Sequence, residues 1–225
     1  WATVIPTLRQ HRQCFGLDFR GHGASRIVAP PLDVDRARLV EEVLNAVAAI
    51  DGGPIDAVGH SLGGATLLRT ELENPGTFRR LWLFEPVMVP DGHLRPDDDH
   101  PLVIAARRRR TEFPSLEAFT ERLLGKPPFS NCEEEAVRAY AELGTYESST
   151  GVCLSCSGDT EARIFGSGTT TDFKQLRSIS SPTIIARGEA VANGNELPPE
   201  MAAPKASHLG NGQLLPMEGL THFGP

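Results

Sequence analysis

The sequence predicts an α/β fold, a mainly parallel sheet with helices on both faces, interrupted by a helical insertion. Three observations carry this reading. Short apolar runs alternate with stretches of helical period over residues 1–89 and again over 180–225. A serine stands in Gly59-His60-Ser61-Leu62-Gly63, between an apolar run and a helix-like stretch. Residues 90–179 abandon the strand–helix rhythm for a series of helix-like pieces. The core is therefore expected at 1–89 with 180–225. Residues 90–179 are expected to form a cap over the serine, excluding water and shaping a substrate pocket.

Taken in order, Trp1, Val4, Ile5 and Leu8 recur at i, i+3, i+4 and i+7, one apolar helix face that Pro6 should distort or stop early. Cys14 to Phe19 is a short apolar run that predicts a buried strand, ended by Arg20-Gly21-His22-Gly23. Leu39, Val40, Val43, Leu44, Val47 and Ile50 form a helical stripe, with Asp35 placed as its N-cap and Gly52-Gly53 as its stop. Pro54 to His60 is a strand leading into the serine. After it, Gly63, Gly64 and Ala65 let a helix approach the sheet closely, Leu67, Leu68 and Leu72 supply its buried face, and Pro75-Gly76 ends it. Leu81 to Val87 and Pro182 to Ala186 read as further buried strands, and Leu214 to Met217 as a last one. Inside the insertion, Pro101 to Phe113, Ser115 to Leu124 and Glu133 to Leu143 read as helices, followed by a Gly/Ser/Thr-rich stretch from Ser148 to Thr171.

Composition bounds the function. A chain of 225 residues with 40% apolar content and net charge −7 is of ordinary globular character. Phosphate binding needs a positive face, so this balance argues against nucleic acid as the partner. Four cysteines at irregular spacing make no disulfide framework, and no apolar stretch is long enough to span a bilayer. The expectation is a cytoplasmic protein acting on a small molecule.

The chemistry starts at Ser61. A serine hydroxyl is inert near neutral pH unless a base takes its proton, and G-x-S-x-G between a strand and a helix is the turn that exposes such a serine above a sheet. His222 lies in the right chain order to be the base, with the acid expected between the two. Other clusters read as structural. Asp91, His93, Asp97, Asp98, Asp99 and His100 contain no compact metal-ligand spacing. Cys153-Leu154-Ser155-Cys156 lacks a second pair. Arg107 to Arg110 spread around a helix and are expected to be solvated or paired with carboxylates of the insertion, an anionic substrate clamp being the lesser alternative. Arg20 and His22 should fix their turn, and the His60 ring should pack beside the elbow. Phe113, Phe119, Phe129 and Tyr140 suit either a pocket wall or a core.

Asp18-Phe19-Arg20-Gly21-His22-Gly23-Ala24-Ser25 resembles the D-x-R-G-x-G-x-S turn of the α/β-hydrolase superfamily, in its capped small-molecule branch. Gly59 to Gly64 resembles that branch's nucleophile elbow, and Gly219-Leu220-Thr221-His222-Phe223 its histidine loop. The resemblance implies Ser61 as nucleophile and His222 as general base. It commonly places an aspartate just past the strand that here ends at Ala186, but Arg187-Gly188-Glu189 is followed by Ala190-Val191-Ala192-Asn193, without one. A subset of the fold takes its acid from the end of the strand after the elbow helix, where Glu85 stands. Glu85 follows an apolar run and precedes a proline, a depth at which a carboxylate needs a partner such as a histidine N–H. Glu85 is therefore the expected acid, with Glu189 in reserve. The Leu62 N–H is expected in the oxyanion hole, its second donor coming from a loop before Trp1.

The same resemblance implies strands before Trp1, one of them between the Cys14–Phe19 and Ile55–His60 strands, and a helix after His222. The chain on its own is thus expected to be a fragment with a gapped sheet, folding poorly and showing little activity. The activity implied is that of a serine hydrolase acting on an ester, thioester or activated carbonyl through an acyl-enzyme, with no metal or organic cofactor. A serine at the elbow argues against dehalogenase and epoxide hydrolase chemistry, which use an aspartate there. A lyase or peroxidase-like activity on the same triad, or a non-catalytic binding protein, are the alternatives.

Overall fold

The computed structural model describes residues 1–26, 33–50, 53–93, 97–167, 169–189 and 197–224. In chain order its elements are α1 (Ile5–Leu8), α2 (Arg36–Ala49), β1 (Ile55–His60), α3 (Ser61–Glu73), β2 (Phe78–Phe84), β3 (Met88–Pro90), α4 (Pro101–Arg108), β4 (Glu112–Phe113) and α5 (Leu116–Leu124). There follow α6 (Glu134–Leu143), β5 (Thr145–Ser148), β6 (Gly151–Leu154), α7 (Gly158–Gly166), β7 (Thr169–Thr171), β8 (Thr183–Arg187), α8 (Leu197–Glu200), α9 (Ala202–His208) and β9 (Gly212–Pro216). They fall in two compact units, a sheet unit of Asp35–Arg95 with Gly168–Pro225 and a second unit of Trp1–Val34 with Pro96–Ser167.

The sheet unit is built on strands in the order β1-β2-β8-β9, every neighbouring pair parallel. Parallel neighbours cannot be joined by a tight hairpin, so the chain must cross back between them. α3 makes that crossing between β1 and β2, and α8 with α9 between β8 and β9. The central strands carry apolar residues where they lie inside the core: Leu81, Leu83 and Phe84 of β2 and Ile185 and Ala186 of β8 are all buried. Each large side chain withdrawn in this way contributes about 1.5–3 kcal/mol. α2 packs against α3 and buries Leu39, Val40 and Val43. Its N-cap position is Asp35, as the sequence suggests, without a side-chain cap bond; its C-cap is Ile50, and Gly52 lies outside the described residues.

α3 lies close on β1 because Gly59 and Gly64 face each other. A Cβ on Gly59 would sit 2.8 Å from the backbone N and Cα of Gly64, whereas Gly63 faces open space. Leu68 is the fully buried leucine of this helix, with Leu67 and Leu72 half-buried. Glu71, also buried, staples the helix end to the sheet: its carboxylate accepts from the N–H groups of Gly76 and Phe78 (both 2.9 Å) and from the Ser181 hydroxyl (2.7 Å). Three donors on one buried carboxylate satisfy a charge that would otherwise be costly there. β2 stops at Phe84, before the expected Val87, because the backbone of Glu85 turns the chain out of the sheet.

In the second unit α4 packs on α7, and Gly158 permits the approach: a Cβ there would meet the Ala106 carbonyl oxygen at 2.4 Å. α5 and α6 enclose a core of Phe113, Phe119, Leu123, Val137, Ala141 and Leu154 beside a small antiparallel sheet of order β4-β6-β5. Phe113 and Phe119, 4.4 Å apart, are thus core residues, and Phe129 stacks on Tyr140 at 5.2 Å. One sequence expectation fails here, and one stretch to which the sequence assigns no element is ordered. The stretch from Ser148 to Thr171 carries regular structure, because Val152 and Leu154 reach the aromatic core and Ser157 caps α7 by accepting from the Thr160 N–H at 3.1 Å. Cys14 to Phe19 is not a strand: it pairs with no other strand among the described residues, and Phe15 and Leu17 stay exposed. A strand without a partner gains nothing over hydration of its backbone. The turn after it is tightly bonded, with Asp18 accepting from the Ala24 N–H at 3.0 Å and Gly21 and Gly23 at φ 79° and 43°. His22 Nδ1 lies 3.1 Å from the Arg20 carbonyl oxygen. Among the described residues no helix is long and apolar enough to cross a membrane.

Candidate active site

Four parallel strands deliver four chain segments to one edge of the sheet, the end where their C-termini lie. The register aligns His60 with Phe84 and Phe84 with Ala186, so the residues that follow these strands emerge at one level. Those residues are Ser61, Glu85 and the Arg187-Gly188-Glu189 segment, with the loop after β9 bringing His222. Among the described residues, Ser61 (φ 52°) and Glu85 (φ 42°) are the non-glycine positions in left-handed conformation. Each such residue costs about 1–3 kcal/mol and persists only where its surroundings hold it. Both strained positions carry candidate functional side chains.

The structure brings three of the sequence-derived residues into one chain of hydrogen bonds. His222 Nδ1 lies 2.6 Å from Glu85 Oε2, and His222 Nε2 lies 3.1 Å from Ser61 Oγ. A carboxylate only accepts, so Nδ1 carries the proton and Nε2 offers its lone pair to the serine hydroxyl. Glu85 is fully buried, and its second oxygen accepts from the Gly188 N–H at 2.8 Å. Two partners thus fix the orientation of the carboxylate. Glu189, the reserve acid, is placed elsewhere: it accepts from the Gly219 N–H at 3.0 Å, and its own N–H donates to Leu220. It ties down the loop that carries His222 and does not touch the imidazole. Residues 190–193, where the expected aspartate is missing, lie outside the described residues.

Leu62 occupies the first turn of α3, where backbone N–H groups have no acceptor within the helix and the helix dipole favours negative charge. Its N–H is therefore available to an oxyanion formed beside Ser61. His60 does more than pack. Its Nε2 donates to the backbone carbonyl of His222 at 2.7 Å, and the two rings lie 4.9 Å apart. Burial first, and then repulsion from His222, lower the His60 pKa to about 4, so it stays neutral while holding the backbone of His222. Lys205, which sequence reasoning passed over, is buried just behind Glu85, its Nζ donating to the carbonyl oxygens of Pro86 and Met88. Its signal was a lone lysine sharing a helix face with Ala202 and Ala206, both buried.

The remaining clusters stay outside this chemistry. His100 caps α4, accepting from the Leu102 N–H at 3.2 Å, and Asp98 pairs with Arg107 at 2.6 Å. Arg109 pairs with Glu161 at 2.6 Å. Among the described residues no group of three His, Cys, Asp or Glu is gathered to hold a metal.

A family model described as "Alpha/beta hydrolase family" matches residues 1–223. The chain belongs to that family. Solved structures share the fold. The crystal structure of E-2-(acetamidomethylene)succinate hydrolase is 21% identical with a TM-score of 0.64, over 91% of this chain and 72% of that one. The thioesterase domain from the curacin biosynthetic pathway is 19% identical with a TM-score of 0.67, over 91% and 74%. A meta-cleavage product hydrolase from Pseudomonas fluorescens IP01 is 16% identical with a TM-score of 0.67, over 99% and 77%. A search of curated protein sequences finds no match.

Proposed function

We propose that this α/β-hydrolase family member is a serine hydrolase that cleaves a small-molecule ester, thioester or activated carbonyl through an acyl-enzyme. The observation that carries the reading is the His222 imidazole spanning Glu85 at 2.6 Å and Ser61 at 3.1 Å. Ser61 Oγ attacks the carbonyl carbon as its proton passes to His222 Nε2. The carbonyl oxygen gains the negative charge and takes a hydrogen bond from the Leu62 N–H. Glu85 stabilises the imidazolium, which then gives its proton to the leaving group as the C–X bond breaks. A water molecule repeats the sequence, losing its proton to His222 and releasing the acid and free Ser61. His222 passes the water's proton to Ser61 Oγ as the acyl bond breaks, so the serine proton leaves with the first product, a water proton replaces it, and no other reactant is needed. The names of the three structures above, two hydrolases and a thioesterase, agree with this class of substrate.

The test is covalent labelling with a fluorophosphonate, with cooperative urea unfolding as the check of folding. Folded protein should be labelled at one site, and Ser61→Ala should remove the label while leaving the unfolding midpoint in place. Folded protein that resists the reagent would favour the non-catalytic reading. Labelled protein that converts no ester or thioester would turn attention to lyase or peroxidase-like chemistry.

A further inference from the structure

Among the described residues Lys205 is the lysine wholly withdrawn from solvent, and the proposed mechanism gives it no task. Its Nζ donates to the carbonyl oxygens of Pro86 at 2.6 Å, in the turn that follows Glu85, and of Met88 at 3.0 Å, where that turn enters β3. That turn is under local constraint. Glu85 enters it in left-handed conformation, its N–H bonded to Ala186 at 2.9 Å, and the Val87 N–H donates to the Ser61 carbonyl at 3.2 Å. The turn therefore links the backbone of the nucleophile to that of the acid. Packing alone does not account for a lysine here, since a methionine would fill the same space between Ala202 and Ala206; what the lysine adds is donors and charge. Burial lowers its pKa to about 7, and the Glu85 carboxylate is the neighbouring charge that acts against that fall. An amine kept in so dry a place is held by the carbonyl oxygens that accept from it.

We infer that Lys205 is a positioning residue for the acid: by gripping the two carbonyls behind Glu85 it holds the carboxylate in line with His222 Nδ1. This rests on the reading of Ser61, His222 and Glu85 as the catalytic groups. Lys205 touches no reacting atom and works through the geometry of the turn.

The test compares Lys205→Met, which keeps chain length and removes the donors, with Lys205→Arg, which keeps donors. Three readouts are needed: urea unfolding, the far-downfield proton resonance of the His222 Nδ1–H to Glu85 hydrogen bond, and the rate of fluorophosphonate labelling. Lys205→Met should fold, lose or shift the resonance upfield, and label roughly tenfold more slowly, as small misplacements of catalytic groups do. Lys205→Arg should keep the resonance and most of the rate. A folded Lys205→Met with resonance and rate unchanged overturns the inference. Should Lys205→Met not fold, a folded Lys205→Arg that lacks the resonance overturns it equally. If the unaltered protein is not labelled at all, the hydrolase reading fails, while the resonance still decides the role of Lys205.

Discussion

The sheet unit and the second unit solve the same folding problem at different cost. Around α5 and α6 the buried side chains are apolar or threonine, and ion pairs such as Arg138 with Glu134 and Arg107 with Asp98 lie at the surface of that unit. At the C-terminal edge of the parallel sheet the chain does the reverse. It buries Glu85 and Lys205, and holds Ser61 and Glu85 in a backbone conformation that side chains disfavour. Strain and buried charge both lower stability, and neither is needed to close a four-stranded sheet. Their concentration at one edge marks where structure has been shaped by something besides folding.

The sharpest way to break this comparison is Glu85→Gln. The amide keeps the size and one acceptor but removes the charge that orients the Nδ1–H of His222. Hydrolysis of a small aryl ester should fall about 10⁴-fold, the scale for loss of a triad acid with its geometry preserved. A loss below tenfold in folded protein would move the acid elsewhere, with Glu189→Gln the next variant to measure.

A smaller effect sharpens it through pH. His60 is neutral in the fold with its pKa lowered to about 4, against 6.5 unfolded. Between those values the unfolded chain binds a proton that the native state refuses, so this contribution is whole above pH 6.5 and is lost as pH falls towards 4. Lys205, lowered from 10.5 to about 7, acts in the same sense at higher pH: stability rises between pH 7 and 10.5 as the unfolded lysine gives up its proton. The urea midpoint should therefore climb from pH 4 to 6.5 and again above 7. His60→Gln, which keeps an N–H donor without titrating, should flatten the lower climb and leave the upper one. An unaltered lower climb in that variant would assign the proton to another group.

Much of the sheet unit was legible in the sequence because its constraints are local. Ser61 is announced by glycines that the fold needs at Gly59 and Gly64, and the apolar runs of β2 and β8 follow from burial within a parallel sheet. Glu85 was legible for the same reason, a carboxylate between an apolar run and a proline. What the sequence hid depends on partners distant in the chain. Cys14 to Phe19 has the composition of a strand, yet composition cannot say whether a neighbouring strand is there to receive it. β4, β5 and β6 are too short for a period of two to stand out, and while β5 and β6 form a hairpin, β4 finds its partner β6 beyond α5 and α6. Local sequence marks Lys205 only weakly, because its two acceptors come from a segment more than a hundred positions earlier.

The smallest expected effect closes the comparison from the other unit. Arg138 and Glu134 stand at i and i+4 on α6, 2.6 Å apart and both more than half exposed. Water screens such a pair and two long side chains must be ordered to form it, so Arg138→Ala should cost only about 0.3–0.5 kcal/mol, less as salt is added. Glu71 forms the contrast, since its removal would leave the Gly76 and Phe78 N–H groups and the Ser181 hydroxyl unmatched in a buried place. Urea unfolding of Arg138→Ala in low and high salt measures the surface term directly. A salt-independent loss above about 1 kcal/mol would mean that the guanidinium stem packs on α6 as a core element does, and that the second unit too relies on charged residues for more than solubility.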